Sequence, residues 1–158
     1  MKPIVHIVLM TLVATSFYAV LVFVEANLVM DAVIVPPADV DLDEWLENFQ
    51  LWGSVGIGLS LVTALLWYAL GQWVFKIDHW KASGKRHIWI LLFLVPVGGA
   101  VLAIAMTGQA QEGALYAYLF HVVNNLVSYY LETALFSPSS FKYSPIGAQK
   151  VRRWNLAF

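Results

Sequence analysis

The segment HVVNNLVSYYLE, residues 121–132, places side chains that could do chemistry inside an otherwise apolar stretch. A histidine can exchange protons near neutral pH, a carboxyl group can exchange them in a suitable environment, and amides and hydroxyls can hydrogen-bond or bind a solute. At about 100° per residue, helical geometry puts these polar side chains on one face, with leucines, valines and a tyrosine opposite. The face consists of His121, Asn124, Asn125, Ser128 and Glu132.

Three interpretations of this polar face are open. Its side chains hydrogen-bond to neighbouring helices of the same chain or of other copies; several copies line a pore with it; or it binds a substrate or relays protons, with His121 titrating. The first is favoured, because a proton path usually needs a carboxyl at mid-depth, whereas Glu132 lies about 6 Å by helix rise from the end at Phe136. We therefore expect Glu132 to reach headgroups or Lys142, and the asparagines to face protein or a wet cavity.

The composition of the chain is that of a membrane protein. Of its 158 residues, 60% are hydrophobic and 12% are charged, whereas a soluble domain averages about 45–50% and about 25%. A transmembrane helix needs about 20 mainly apolar residues. Four stretches meet this requirement: residues 4–24, 51–75, 88–106 and 113–136. The sequence thus predicts an all-α integral membrane protein with a four-helix transmembrane domain, residues 1–136, and a cytoplasmic basic and aromatic tail, residues 137–158.

The distribution of charge predicts the orientation of these spans. The nine lysines and arginines lie before the first span, between the second and third, and after the fourth, while the other side is acidic and includes Glu25. Because basic loops stay in the cytoplasm, both termini are expected there, in a multi-pass protein of the cell (inner) membrane. In the short acidic outer loop, Asp41 with Glu44 predicts the start of a helix that runs into the second span.

Two further patterns concern helix packing. Small residues recur every four residues in the second and third spans, which lets helix backbones approach closely within one chain or between chains. These residues are Gly56, Ser60, Ala64, Gly99 and Ala103. Pro96 with Gly98 predicts a kink in the third span, either a hinge for gating or, as we favour, a static packing feature.

Basic and aromatic residues in the inner loop and the tail are typical of contact with anionic headgroups or of docking to a cytosolic protein. They are Lys85, Arg86, Lys142, Tyr143, Lys150, Arg152, Arg153 and Trp154. Nucleic-acid binding is not expected, because the tail has too few cations.

Motifs for catalysis or cofactor binding do not occur in this sequence. It has no phosphate-binding glycine loop, no HExxH, no GxSxG and no cysteine, so neither an enzyme nor a metal or other cofactor is expected. The sequence instead predicts a non-enzymatic membrane subunit that forms homo-oligomers and anchors or docks a cytosolic partner. Secretion, envelope and phage-defence complexes contain such subunits, which is an analogy only. The alternative is a small channel or transporter with a pathway lined by the polar face of the fourth helix.

Overall fold

Four long helices make up the protein. The computed structural model describes residues 3–31, 33–75, 82–108 (for 82–84 the backbone alone), 110–138, 141, 144–148 and 150. The described residues are 83% helical and contain no β-strand. The helices are α1, Pro3–Met30; α2, Leu42–Val74; α3, Ala82–Thr107; and α4, residues 114–136. The all-helical prediction is therefore confirmed.

Three of these helices are long and apolar enough to cross a membrane, counting only the part of the chain that the structure describes. They are Pro3–Met30, Leu42–Val74 and Lys85–Thr107. Helix α4 is not in this set, because its histidine, asparagines and glutamate make it less apolar than the others. The prediction of a helical membrane protein is confirmed, and hydropathy supports three of the four predicted spans.

Helix α1 is longer than the sequence predicts. It continues past Val24 to Met30, with no proline or glycine in between to end it. Glu25, which the sequence counted among the acidic residues of the outer side, lies within the helix and is 1% exposed, so it is not a solvated loop residue.

Helix α2 begins where the sequence predicts a helix start. Asp41 is the N-cap residue, and its Oδ1 accepts a hydrogen bond of 2.8 Å from the backbone N–H of Asp43. The helix continues from there to Val74, so the outer-loop helix and the predicted second span are one element.

Helices α1, α2 and α4 each contain one π-helical turn. In such a turn the backbone hydrogen bonds join residues five positions apart, compared with four in an α-helix. The turns are Leu21–Glu25, Leu70–Val74 and Val123–Val127. Such turns often accompany functional sites. Two of the three carry buried polar side chains, namely Glu25 in α1 and the pair Asn124 and Asn125 in α4.

Successive helices run in opposite directions. At one end, the loops after α1 and before α4 meet: the Val35 N–H donates to the Glu112 carbonyl at 3.0 Å, and the Gln111 N–H donates to the Val35 carbonyl at 2.7 Å. At the other end, Nδ1 of His6 in α1 lies 3.0 Å from the hydroxyl of Tyr68 in α2. Helix α2 packs against all three other helices, and so does α4.

The bundle is apolar on its outside. Large hydrophobic side chains are exposed along the helices, among them Ile4 at 72% and Phe23 at 71%. Buried polar side chains lie inside, with two apolar clusters around them. This is the distribution expected of helices that face lipid on their outer surface and must satisfy their polar groups internally.

The predicted small-residue faces pack within one chain. Gly56, Ser60, Ala64, Gly99 and Ala103 are all buried. A Cβ placed on Gly99 would lie 3.7 Å from the Cα of Gly56, so α2 and α3 come together at these two glycines. These faces are consequently not available to a second copy, and self-association, which stays a prediction, would need another surface.

The predicted hinge lies inside a continuous helix. Helix α3 is α-helical from Ala82 to Thr107 and includes Pro96. The space beside Gly98 is open: a Cβ placed there would meet nothing within 4 Å. A hinge at these two residues stays a prediction.

Candidate functional site

The polar side chains of α4 face the interior of the bundle and form, with residues of the other three helices, a feature that we call the polar column. The column consists of Glu25, Ser60, Thr107, His121, Asn124, Asn125, Ser128, Glu132, Thr133 and Ser137, all buried. From His121 to Ser137 it extends about 24 Å by helix rise, compared with about 30 Å for the hydrocarbon core of a bilayer. The column could therefore cross most of a membrane.

At the end of the column nearest the loop between α3 and α4, α4 contacts α3 through a histidine. Nε2 of His121 lies 3.0 Å from Oγ1 of Thr107. The imidazole packs on Phe49 of α2, with ring centroids 4.7 Å apart. Its other nitrogen, Nδ1, is buried and has no hydrogen-bond partner in the described part of the chain. This nitrogen is thus able to bind a water molecule or a proton.

One turn further along the column, α4 contacts α1 through a carboxyl group. Nδ2 of Asn124 donates to both carboxyl oxygens of Glu25, at 3.0 Å each. The described residues provide no cation at ion-pair distance from this carboxyl group. An amide is therefore the partner of a glutamate inside the bundle, and the glutamate is where a mobile proton or cation could bind.

Asn125 occupies the place where α2, α3 and α4 come closest. Its Nδ2 donates to the carbonyl of His121 at 2.8 Å, and the hydroxyl of Ser60 donates to the Asn125 carbonyl at 2.9 Å. Its Oδ1 is buried, lies against Gly56 and Gly99, and has no partner among the residues described. The two glycines make room for this amide, which is why small residues are needed at both positions.

Towards the carboxyl end of α4, a second carboxyl group of the column is buried. The hydroxyl of Ser128 donates to Oε1 of Glu132 at 2.9 Å, while Oε2 has no partner in the part of the chain that is described. The expectation that Glu132 is an interfacial carboxylate reaching headgroups is wrong. The helix turns this side chain into the bundle, where it is fully buried, and Lys142 lies outside the described residues.

After Glu132, at the carboxyl end of α4, the column ends at the indole groups of two tryptophans. Nε1 of Trp89 donates to Oγ1 of Thr133 at 2.9 Å, and Nε1 of Trp67 donates to the hydroxyl of Ser137 at 2.7 Å. The ring of Trp67 in turn packs on Phe141 of the tail, at 4.1 Å between centroids. Phe141 of the tail therefore packs over the end of the bundle at which α4 ends.

The predicted headgroup or partner contacts are only partly visible. Arg86 and Lys150 are exposed, whereas Lys85 is buried with its Nζ 5.9 Å from the ring centroid of Phe141. The other residues of that set lie outside the described residues: Lys142, Tyr143, Arg152, Arg153 and Trp154.

Glu25 is the site residue that sequence reasoning missed. The signal that could have found it is the spacing of the buried residues of α1, since Met10, Ala14 and Leu21 lie on one helix face and Glu25 follows Leu21 by four residues. The prediction ended the first span at Val24 and so placed this carboxyl outside the membrane.

The chemistry open to the column is proton exchange and hydrogen bonding. It combines one imidazole and two carboxyl groups with amides and hydroxyls, inside a bundle with an apolar surface. The residues described contain no group of three or more histidine, aspartate and glutamate side chains that could hold a metal ion. Comparisons with models of protein families, with curated proteins and with solved structures found no match.

Proposed function

We propose that the protein is a four-span membrane protein of the cell (inner) membrane with both termini in the cytoplasm. The alternating directions of the helices bring the start of α1, the end of α2, the start of α3 and the residues that follow α4 to the same end of the bundle, and the basic loop and the basic tail continue the chain from there. Basic segments are retained in the cytoplasm. Helix α4 qualifies as the fourth span because its polar face is turned inward, while Leu115, Leu119 and Val123 are exposed on its outer face.

Labelling of single cysteines tests this topology. The chain has no cysteine of its own, so each introduced thiol is unique. In intact spheroplasts, a membrane-impermeant maleimide is expected to label Asp39→Cys in the outer loop. Lys150→Cys in the tail is expected to react only after the membrane is permeabilised. Labelling of both from the same side, or in the reverse order, would contradict the proposal.

We further propose that the protein moves protons across the membrane along the polar column, as a small channel or transporter. The observation that carries this proposal is the burial of Glu25 and Glu132 in a column that also contains His121. From the sequence alone a proton path was not favoured, because no carboxyl at mid-depth was identified. Glu25 provides a second carboxyl, and both carboxyls are turned into the bundle. Ionisable groups inside a membrane bundle are costly, and they usually mark a functional path.

In this function, His121, Glu25 and Glu132 carry protons, and the amides and hydroxyls hold them in place. His121 and Glu132 are eleven positions apart, about 16 Å along α4, so direct transfer between their side chains is excluded. Water molecules would have to bridge the gaps. The unpartnered Nδ1 of His121, Oδ1 of Asn125 and Oε2 of Glu132 support this mechanism, because each is a buried polar atom able to bond a water molecule.

Proton flux into vesicles tests this mechanism. The purified protein is reconstituted in liposomes that enclose a pH-sensitive dye, and a potassium diffusion potential drives proton entry. Glu25→Gln and Glu132→Gln are each expected to reduce the flux to that of protein-free vesicles, because an amide of the same shape cannot carry the proton. Glu112→Gln, at an exposed outer carboxyl, is the matched control and is expected to retain the flux.

Two outcomes would contradict the proposal of proton movement. One is that Glu25→Gln and Glu132→Gln both conduct protons as fast as the wild-type protein, while their melting temperatures show that they are folded. The other is wild-type protein that conducts no more than empty vesicles. The second outcome would favour the candidate function described next.

The second candidate is a non-enzymatic subunit that docks a cytosolic protein within a larger complex. It is favoured by the exposure of Arg86 and Lys150 on the inner side, and by the anchoring of the tail through the buried Phe141. In this function the polar column serves only to hold the helices in register. Substitution of its carboxyls would then change stability but no transport.

A further inference from the structure

An apolar groove runs along the outside of the bundle between α3 and α4, towards the inner end. Its volume is about 660 Å³. Ile90 and Phe93 of α3 form one wall, and Leu126 and Val127 of α4 form the other. Ile146 and Gly147, in the turn that follows α4, close the groove at one end. The groove is separate from the polar column, which lies on the opposite, inward side of α4.

The turn with Ile146 and Gly147 packs closely against α4. Gly147 has a φ of +78°, a backbone conformation that favours glycine. A Cβ added to Gly147 would lie 2.9 Å from the hydroxyl of Tyr130, so the turn packs directly against the end of this tyrosine side chain. The groove therefore has a defined end and differs from the ordinary spacing between two lipid-facing helices.

Two cations lie beside this end of the groove. Arg86 is exposed and precedes Ile90 by four residues, which places it one turn away on the same face of α3. Lys150 is also exposed, and its backbone N–H bonds to the carbonyl of Gly147 at 2.9 Å. In the proposed topology, both cations are at the level of the cytoplasmic headgroups, which carry negative charge.

We propose that this groove binds an acyl chain of an anionic phospholipid from the cytoplasmic leaflet, with its headgroup at Arg86 and Lys150. The apolar walls match the chain, and the cations match the phosphate. The inference rests on the proposed membrane orientation and not on proton movement. The cysteine labelling tests the orientation by itself, so a wrong orientation can be distinguished from a wrong lipid site.

Photocrosslinking tests the lipid site. The full-length protein is reconstituted in mixed phosphatidylcholine–phosphatidylglycerol vesicles in which only the phosphatidylglycerol carries a photoactivatable acyl chain. Crosslinks are expected to concentrate on Leu126, Val127 and Ile146. Removing one cation, by Arg86→Gln or Lys150→Gln, is expected to reduce the yield about fivefold, the effect of one cation near an anionic surface. Arg86→Lys keeps the charge and is expected to retain most of the yield.

A pair of tryptophan variants provides a steric control. Val127→Trp fills the groove and is expected to abolish the specific crosslinks. Val123→Trp lies one turn away on the same helix and is expected to leave them unchanged. The two valines are similarly exposed, at 39% and 41%, so both variants should fold. The proposal would be overturned if the two variants gave equal crosslinking, or if a phosphatidylcholine probe gave the same yield as the phosphatidylglycerol probe. It would also be overturned if a photoactivatable amino acid placed at Leu126 crosslinked two protein copies.

Discussion

Asn124→Leu is expected to lower the free energy of unfolding by about 2–3 kcal/mol, the cost of leaving a buried charged or strongly polar group without its partner. The substitution removes the amide that donates to both carboxyl oxygens of Glu25, and no other described residue bonds that carboxyl group. Leucine has the same branching and the same number of non-hydrogen side-chain atoms as asparagine but a larger volume, so overpacking adds to the loss. Unfolding by sodium dodecyl sulfate in mixed micelles measures the effect.

A second substitution separates the lost hydrogen bonds from a general disturbance of α4. Glu25→Leu combined with Asn124→Leu removes both polar partners, and most of the stability is expected to return because nothing polar is left unpaired. Asn27→Leu is the matched control. Asn27 is an exposed asparagine of α1 whose Nδ2 bonds only to a carbonyl of its own helix, that of Phe23 at 2.6 Å. If the double variant is less stable than Asn124→Leu alone, the pairing assigned to Glu25 is wrong.

Gly56→Ala is expected to destabilise the bundle by about 1–3 kcal/mol, the usual cost of overpacking a tight core. The new methyl group would collide with Oδ1 and Nδ2 of Asn125. That side chain cannot move aside freely, because its Nδ2 is bonded to the carbonyl of His121 and Gly99 lies on its other side. Thermal unfolding in detergent micelles measures the loss.

Gly58→Ala provides the comparison for this glycine. Gly58 lies two residues further along the same helix, and a Cβ there would meet nothing within 4 Å. Alanine at this position should leave the stability unchanged or raise it by up to about 1 kcal/mol through helix propensity. Equal melting temperatures for the two alanine variants would show that Asn125 does not depend on the glycine beside it.

These two predictions concern one arrangement, in which α4 is held by two adjacent amides inside its π-helical turn. Asn124 reaches α1, and Asn125 reaches the meeting point of α2 and α3. A π-helical turn shifts the helix register locally, so two adjacent residues can both be turned into the bundle. The same turn therefore positions the two asparagines of the polar column and ties α4 to its three neighbours.

Local composition and periodicity were enough to predict several features of this protein. The high apolar content indicated membrane helices, and the helical spacing of His121, Asn124 and Ser128 indicated a single polar face. Asp41 indicated the start of α2, which the structure confirms through its capping hydrogen bond. Each of these features depends on residues close together in the chain, so a single sequence contains the information.

Contacts between distant residues were decided only by the tertiary structure. Glu25 and Asn124 are 99 positions apart, and neither has a neighbour in the sequence that identifies its partner. Likewise, small residues at regular spacing indicate a close approach of helices but not whether those helices belong to one chain; here Gly56 and Gly99 meet within it. The depth and direction of Glu132 follow from how α4 rotates in the bundle. That rotation depends on the combined packing of four helices, and no local pattern specifies it.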